Sequence, residues 1–142
     1  MNDVEQPIQQ LFAAYKAAVF AKDVDAFVAL YHEDVCVFDL WGRWSYTGIA
    51  AWRTMVVEWF GSLGSERVVV EVDSVQTRVT NDLALAHAFI SYTGVSAEGT
   101  ALRTMQNRLT WALTPQGSAW KIVHEHSSAP VDPETLQVLL QR

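Results

Sequence analysis

The sequence predicts an α+β fold in which helices come first and a long antiparallel sheet follows. In the first half, apolar residues recur at spacings of three and four, which indicates helices that each bury one face. In the second half, stretches rich in β-branched and aromatic residues alternate with short turn signals, which predicts strands paired with their chain neighbours. The 142 residues, half of them apolar, suit one domain over residues 1–142 with one core.

Two helices are predicted at the N-terminus, each beginning at an aspartate that can cap it. Asp3 precedes a stripe formed by Val4, Ile8, Leu11, Phe12, Tyr15 and Val19. Asp23 precedes a shorter set formed by Val24, Phe27, Val28 and Tyr31. Both helices are expected to turn these residues toward the core.

A short strand over residues 35–39 and a third helix are predicted next. Between them, residues 41–44 form a turn into a second short strand that ends at Tyr46. Thr47 and Gly48 open the third helix. Its apolar positions are Trp52, Met55, Val56, Trp59, Phe60 and Leu63.

Four strands are predicted in the second half, at residues 66–78, 83–95, 100–113 and 119–128. A short final helix is predicted to start at Asp132-Pro133, because proline is tolerated in a first helical turn. A strongly twisted sheet of this kind curls over the helices. It is expected to give a cone-shaped fold whose curved, mainly antiparallel sheet encloses a pocket.

Charge and composition exclude several classes of function. The net charge is −6 and the basic residues are scattered, so neither nucleic acid nor a membrane is an expected partner. The N-terminus lacks a basic, apolar leader, so a cytoplasmic location is expected. The single cysteine, Cys36, rules out an internal disulfide and any multi-cysteine metal site.

The segment at residues 29–39, with the later Gly48, resembles the helix-to-strand junction of the ketosteroid isomerases. The resemblance places Asp39 at the position of their general base. It places Tyr15 at the position of the tyrosine that donates to the developing enolate oxygen. The whole chain is thereby similar to the nuclear transport factor two-like, SnoaL-like superfamily with its cystatin-like fold.

The segment at residues 120–130 is similar to the last strand of the association domain of calcium/calmodulin-dependent kinase II. The resemblance makes Arg108 a pocket residue and puts Ser127 where a second arginine of that domain falls. Arg108 and Glu125 lie on strands expected to be neighbours, and an ion pair between them would satisfy both charges. Removing Arg108 would then strand a buried carboxylate and destabilise the fold.

The remaining candidates are aromatic and polar residues around the expected pocket. Asn107, beside Arg108, can donate to an oxyanion. Trp52, Trp59 and Tyr46 are expected at its wall or mouth, although such residues pack in cores at least as often. Asp39 itself has the alternative role of capping the turn at residues 40–42.

No cofactor and no metal site are expected. His124-x-His126 is a short pattern and a weak signal for a metal, and although His87 is a candidate to join it, no clear third ligand is visible. The two histidines alternate with Glu125 and so belong to the outer sheet face. With Ile122 and Trp111, that face is expected to form a homodimer.

Two functions remain open from the sequence. One is a domain that binds a small carbonyl or carboxylate compound without chemistry, with Arg108 as anchor. The other is an isomerase or dehydratase in which Asp39 moves a proton and Tyr15 stabilises the oxyanion.

Overall fold

A computed structural model describes residues 6–142; Asp3 and Val4, assigned above to the first helix, lie outside them. The helices and strands in chain order are α1 (Gln6–Ala21), α2 (Val24–Val28), β1 (Tyr31–Phe38), β2 (Tyr46–Thr47), α3 (Ile49–Ser62), β3 (Arg67–Val79), β4 (Ala84–Val95), β5 (Ala101–Gln116) and β6 (Ala119–Ser128). None of the helices among these residues combines the length and the apolar character that a bilayer crossing requires.

Within residues 6–142 the strands form one six-stranded sheet in the order β2-β1-β6-β5-β4-β3. Among these described strands, β1 and β6 pair in parallel, and every other neighbouring pair is antiparallel. A bulge at Ser74, whose φ is 58°, and a second shift in register after Ala112 increase the local twist. The predicted α+β architecture with a curved, mainly antiparallel sheet is confirmed.

The core lies between the sheet and the apolar faces of the helices. Helix α1 buries the stripe predicted for it, and Phe12 stacks on Trp111 of β5 with ring centroids 4.3 Å apart. Phe27 of α2 is fully buried and touches the rings of Tyr31, Trp52 and other aromatic side chains. This aromatic cluster joins the helices to the first strand.

Helix α3 follows Gly48, its N-cap residue, as the sequence predicts. Gly48 has a φ of 87°, which a residue with a side chain adopts only under strain. Its backbone N–H donates to the Val35 carbonyl at 2.7 Å, and its own carbonyl accepts from Trp52. The turn therefore fixes α3 against β1 and directs Trp52 toward the core.

The second helix is shorter than predicted, because Tyr31 belongs to β1 instead. The Ile122 N–H donates to the Leu30 carbonyl at 3.0 Å, and Tyr31 then pairs with Ile122 in the parallel ladder. This long-range pairing ends the helix at Val28 and starts the strand four residues before the predicted position. Tyr31 still points inward, as expected.

The final helix predicted from Asp132-Pro133 is wrong. The Asp132 carboxylate accepts from the N–H groups of Glu134 and Thr135, and Leu136 then adopts a left-handed φ of 61°. A helix cannot continue through that conformation. The chain returns as a bridge between Val131 and Val138 and runs beside β5, where Gln106 N–H donates to the Leu140 carbonyl at 2.7 Å.

The apolar residues assigned to the outer sheet face are also corrected. Trp111 and Ile122 are fully buried on the inner side. Ile122 pairs with Leu113 whereas His124 pairs with Ala112, so the register shift at residue 123 turns Ile122 inward with Glu125. The homodimer stays a prediction that now rests on His126 and the exposed Phe38.

Phe27→Ala should lower the free energy of unfolding by about 3–5 kcal/mol, because it opens a cavity inside the aromatic cluster. Phe20→Ala is the matched control, since Phe20 is 46% exposed at the end of α1. Urea denaturation measures both variants. Equal losses for the two would contradict the central place of Phe27 in the core.

Candidate functional site

A cavity of about 580 Å³ lies between α3 and the inner face of the sheet. This volume is within the roughly 300–1,000 Å³ of pockets that hold drug-sized ligands. Aromatic side chains from α1, α2, α3 and β4 form much of its wall: Tyr15, Phe27, Trp52, Trp59 and Tyr92. Its polar lining includes Asp39, Asn107, Glu125 and Ser127.

Glu125 is the most deeply buried carboxyl group of the cavity, with 3% of the residue exposed. The Tyr31 hydroxyl donates to its Oε1 at 2.6 Å, and the Trp111 indole N–H donates to the same oxygen at 2.8 Å. Trp111 faces Glu125 across the β5–β6 ladder, and Tyr31 comes from β1 on the other side of β6. Among residues 6–142, Oε2 has no hydrogen-bond partner of its own.

The pKa of Glu125 is raised from its usual 4.5 to about 7. Burial is the main cause, since removal from water disfavours the charged form. The two donors act in the opposite direction, and the negative charge of Asp39 raises the pKa further. Asp39 and Glu125 therefore influence each other's protonation.

Asp39 follows the last residue of β1 and lines the cavity. The Ser127 hydroxyl donates to Oδ1 at 3.1 Å while accepting the Leu40 N–H at 2.9 Å. The Trp41 N–H donates to Oδ2 at 3.3 Å. Asp39 therefore also caps the turn at residues 40–42, which is the alternative role predicted for it from the sequence. Burial raises the pKa of Asp39, and these hydrogen bonds lower it in part.

Two tyrosines meet beside the carboxyl groups. The hydroxyls of Tyr15 and Tyr92 are 2.8 Å apart and hydrogen-bonded. Burial raises the pKa of both phenols, so both keep their protons and can donate at neutral pH. The Asn107 side chain beside Tyr92 lowers the pKa of that phenol in part.

Two buried polar atoms at the cavity lack a hydrogen-bond partner within the described part of the chain. They are the indole Nε1 of Trp52 and the amide Oδ1 of Asn107. Both residues line the cavity. A buried donor or acceptor without a partner costs about 1–3 kcal/mol, so each is a position where a ligand atom would stabilise the protein.

Arg108 does not reach the cavity, and its predicted ion pair with Glu125 does not form. Its side chain is exposed on the outer sheet face, where Nε donates to Ser128 Oγ at 3.1 Å. Arg108 pairs with Ser128, whereas Glu125 pairs with Trp111 three residues farther along β5. Removal of Arg108 therefore strands no buried carboxylate, and the predicted destabilisation does not follow.

Tyr46 also lies outside the cavity lining. It is buried in β2 and packs on Trp52 with ring centroids 5.4 Å apart. Tyr46 thus packs against Trp52, a residue of the cavity wall, without lining the cavity itself. Its pairing with Val37 places it beyond the strand that borders the pocket.

Sequence reasoning missed Tyr92 and Arg103. Tyr92 pairs with Met105 of β5 and belongs to the same inner face as Ile90, a period-two signal that the sequence contains. Arg103 lines the exposed end of the cavity, where Nη2 bonds to Glu66 at 2.6 Å. Arg103 and Glu66 are 37 positions apart, so no local sequence pattern predicts their contact.

The histidines form no metal-binding group. Within residues 6–142 no three His, Cys, Asp or Glu side chains gather in a way that could hold a metal ion. His124 Nδ1 instead lies 2.7 Å from the Cys36 carbonyl, and the ring packs edge-on against Phe38. His87 is exposed on β4.

The fold and an internal pocket define a nuclear transport factor two-like protein with a cystatin-like fold. Residues 8–132 match the SnoaL-like domain family, and the chain belongs to that family. Among curated proteins, none matches this chain significantly.

Solved structures agree with this fold. An NTF2-like protein of unknown function from Pseudomonas putida KT2440 is 28% identical, with a TM-score of 0.84 over 97% of this chain and 94% of its own. A protein from Xanthomonas campestris described as a calcium/calmodulin-dependent protein kinase II association domain is 17% identical, with a TM-score of 0.77 over 94% and 91%. An NTF2-like protein with a cystatin-like fold from Novosphingobium aromaticivorans is 18% identical, with a TM-score of 0.76 over 99% and 90%.

The stability of the protein should fall as pH rises from about 5 to about 8. The folded-state pKa of Glu125 lies above its unfolded value, so its stabilising contribution is complete below 4.5 and is lost as pH rises through about 7. Asp39, whose pKa is also raised, acts in the same direction. Glu125→Gln should remove on the order of 3 kcal/mol of this fall.

Urea denaturation at the two pH values measures the effect. Glu71→Gln is the control, because Glu71 is an exposed glutamate on β3. An unchanged pH dependence in Glu125→Gln would contradict the assigned pKa.

Proposed function

We propose that this protein binds a small, flat, mainly apolar molecule that carries a carbonyl or hydroxyl group. The observation that carries the proposal is the pair of buried polar atoms at an aromatic-walled cavity, Trp52 Nε1 and Asn107 Oδ1, both without partners in residues 6–142. A ligand carbonyl would accept from the indole, and a ligand hydroxyl would donate to the amide oxygen. The apolar body would lie along Trp52 and Trp59.

A carboxylate ligand fits this cavity less well than a carbonyl ligand. The anchor expected from the sequence, Arg108, lies on the other sheet face. Arg103 lines the cavity but is engaged by Glu66. A ligand carboxylate would instead meet Asp39 and Glu125, and like charges in a buried site repel strongly.

A second candidate function is proton transfer of the isomerase or dehydratase type, with Asp39 as general base. The position of Asp39 in the cavity favours it, because burial raises the pKa of this carboxyl toward the range useful for catalysis. The hydrogen-bonded hydroxyls of Tyr15 and Tyr92 would supply the donor for a developing oxyanion. Ser127 would orient the Asp39 carboxylate through Oδ1.

Asp39→Asn separates binding from catalysis once a thermal-shift screen of small carbonyl compounds has supplied a ligand. If Asp39 is the base, the variant should fold and bind normally while turnover falls by roughly two orders of magnitude or more. Asp34→Asn, at an exposed position on β1, is the matched control. Calorimetry measures affinity, and product analysis by mass spectrometry measures turnover.

Full turnover by Asp39→Asn would remove Asp39 as the base. A tight ligand that the wild type leaves chemically unchanged would support binding without catalysis. Failure of every carbonyl and hydroxyl compound to bind would contradict the proposed function itself.

A further inference from the structure

The polar lining of the cavity contains two carboxyl groups, those of Asp39 and Glu125. The Asp39 carboxylate accepts hydrogen bonds from the Trp41 N–H and the Ser127 hydroxyl. Glu125 Oε2 has no partner within residues 6–142, and neither has Asn107 Oδ1. The donors left on this lining are neutral near the carboxyl groups: the indole N–H of Trp52, the amide N–H groups of Asn107 and one tyrosine hydroxyl of the Tyr15–Tyr92 pair.

These acceptors belong to one part of the cavity. Glu125 and Ser127 are two residues apart on β6 and share its inner face, and Ser127 holds the Asp39 carboxylate. Asn107 lies on the same inner face of the neighbouring strand, two residues from Leu109, which pairs with Ser127. The two carboxyl groups also act electrostatically on each other.

Positive charge is scarce on this lining. Among the described residues that line the cavity, Arg103 is the cationic side chain, and its guanidinium bonds to Glu66 at 2.6 Å at the exposed end. Two carboxyl groups removed from water without a cation are unfavourable when ionised. A cation supplied from outside the chain would stabilise both.

The walls beside the carboxyl groups suit an organic cation. The rings of Tyr15, Phe27, Trp52, Trp59 and Tyr92 line the same cavity. The faces of aromatic rings attract ammonium groups, tryptophan most strongly. An ammonium ion also carries three donors, which the oxygens of the two carboxyl groups can accept.

We propose that the ligand of this cavity is an organic amine, whose ammonium group binds between Asp39 and Glu125 and whose apolar body packs along Trp52 and Trp59. The proposal rests on the proposed function, since it names the class of molecule that the same cavity binds. The carbonyl or hydroxyl group of the ligand, where present, would pair with Trp52 Nε1. The carboxylates provide charge recognition, and the aromatic wall provides the apolar surface.

The test compares ligands that differ only in the terminal group. Phenethylamine, tryptamine and naphthylethylamine are the amine probes, and each is matched with its alcohol and its carboxylate. Calorimetric titration near neutral pH should give an affinity at least about tenfold higher for the amine than for the alcohol on at least one ring system, because the hydrogen bonds are charge-assisted. The carboxylate should bind most weakly on that ring system.

Variants locate the effect in the two carboxyl groups. Asp39→Asn and Glu125→Gln should each reduce the preference for amine over alcohol by about tenfold. Asp34→Asn and Glu71→Gln remove the same charges at exposed positions and should keep the wild-type preference. If Glu125→Gln fails to fold, Asp39→Asn alone decides the outcome.

The outcomes distinguish the two proposals. Alcohols that bind as tightly as the amines, or carboxylates that bind best, would overturn the amine assignment and leave a small-molecule pocket in place. An amine preference that survives in Asp39→Asn would also overturn it. Absence of binding by every probe would overturn both proposals.

Discussion

The buried carboxyl group of Glu125 is the constraint on which the rest of the site depends. It needs donors from the protein, and it receives them from Tyr31 on β1 and Trp111 on β5. These bonds tie together three adjacent strands of the sheet, one of them paired in parallel. Trp111 in turn stacks on Phe12 of α1, so the same contacts fix the first helix over the sheet. A hydrophobic residue at position 125 would fill this space but would remove the polar end of the cavity.

The walls and the polar end have different physical tasks. Phe27, Trp52 and Trp59 exclude water and present flat apolar surfaces. The loss of water strengthens electrostatic interactions within the cavity, so the charge of Asp39 raises the pKa of Glu125 and a ligand charge would have a large effect there. Ser127 connects the two carboxyl groups, since it holds Asp39 in the turn after β1 and lies on the face of β6 that carries Glu125.

Much of this architecture could be predicted from the sequence, because helical and strand periodicities are local. The stripe of α1, the capping by Asp23 and the turn at Gly48 all depend on near neighbours. The error at Arg108 came from the choice of strand face. Leu109, Trp111 and Leu113 alternate along β5 and are buried, which puts Asn107 inward and Arg108 outward. That alternation was visible in the sequence.

Other features could not be predicted, because they depend on contacts between distant residues. Tyr31 donates to Glu125 across 94 positions of sequence, and only the parallel pairing of β1 with β6 brings the two together. The inward turn of Ile122 depends on a register shift.

The central claim is that Glu125 is a buried carboxyl group that titrates near neutral pH. Carbon-13 NMR of glutamate side-chain carboxyl groups measures this directly. The account predicts one signal with a pKa of about 7 that disappears in Glu125→Gln, whereas titration of every glutamate near 4.5 would contradict it.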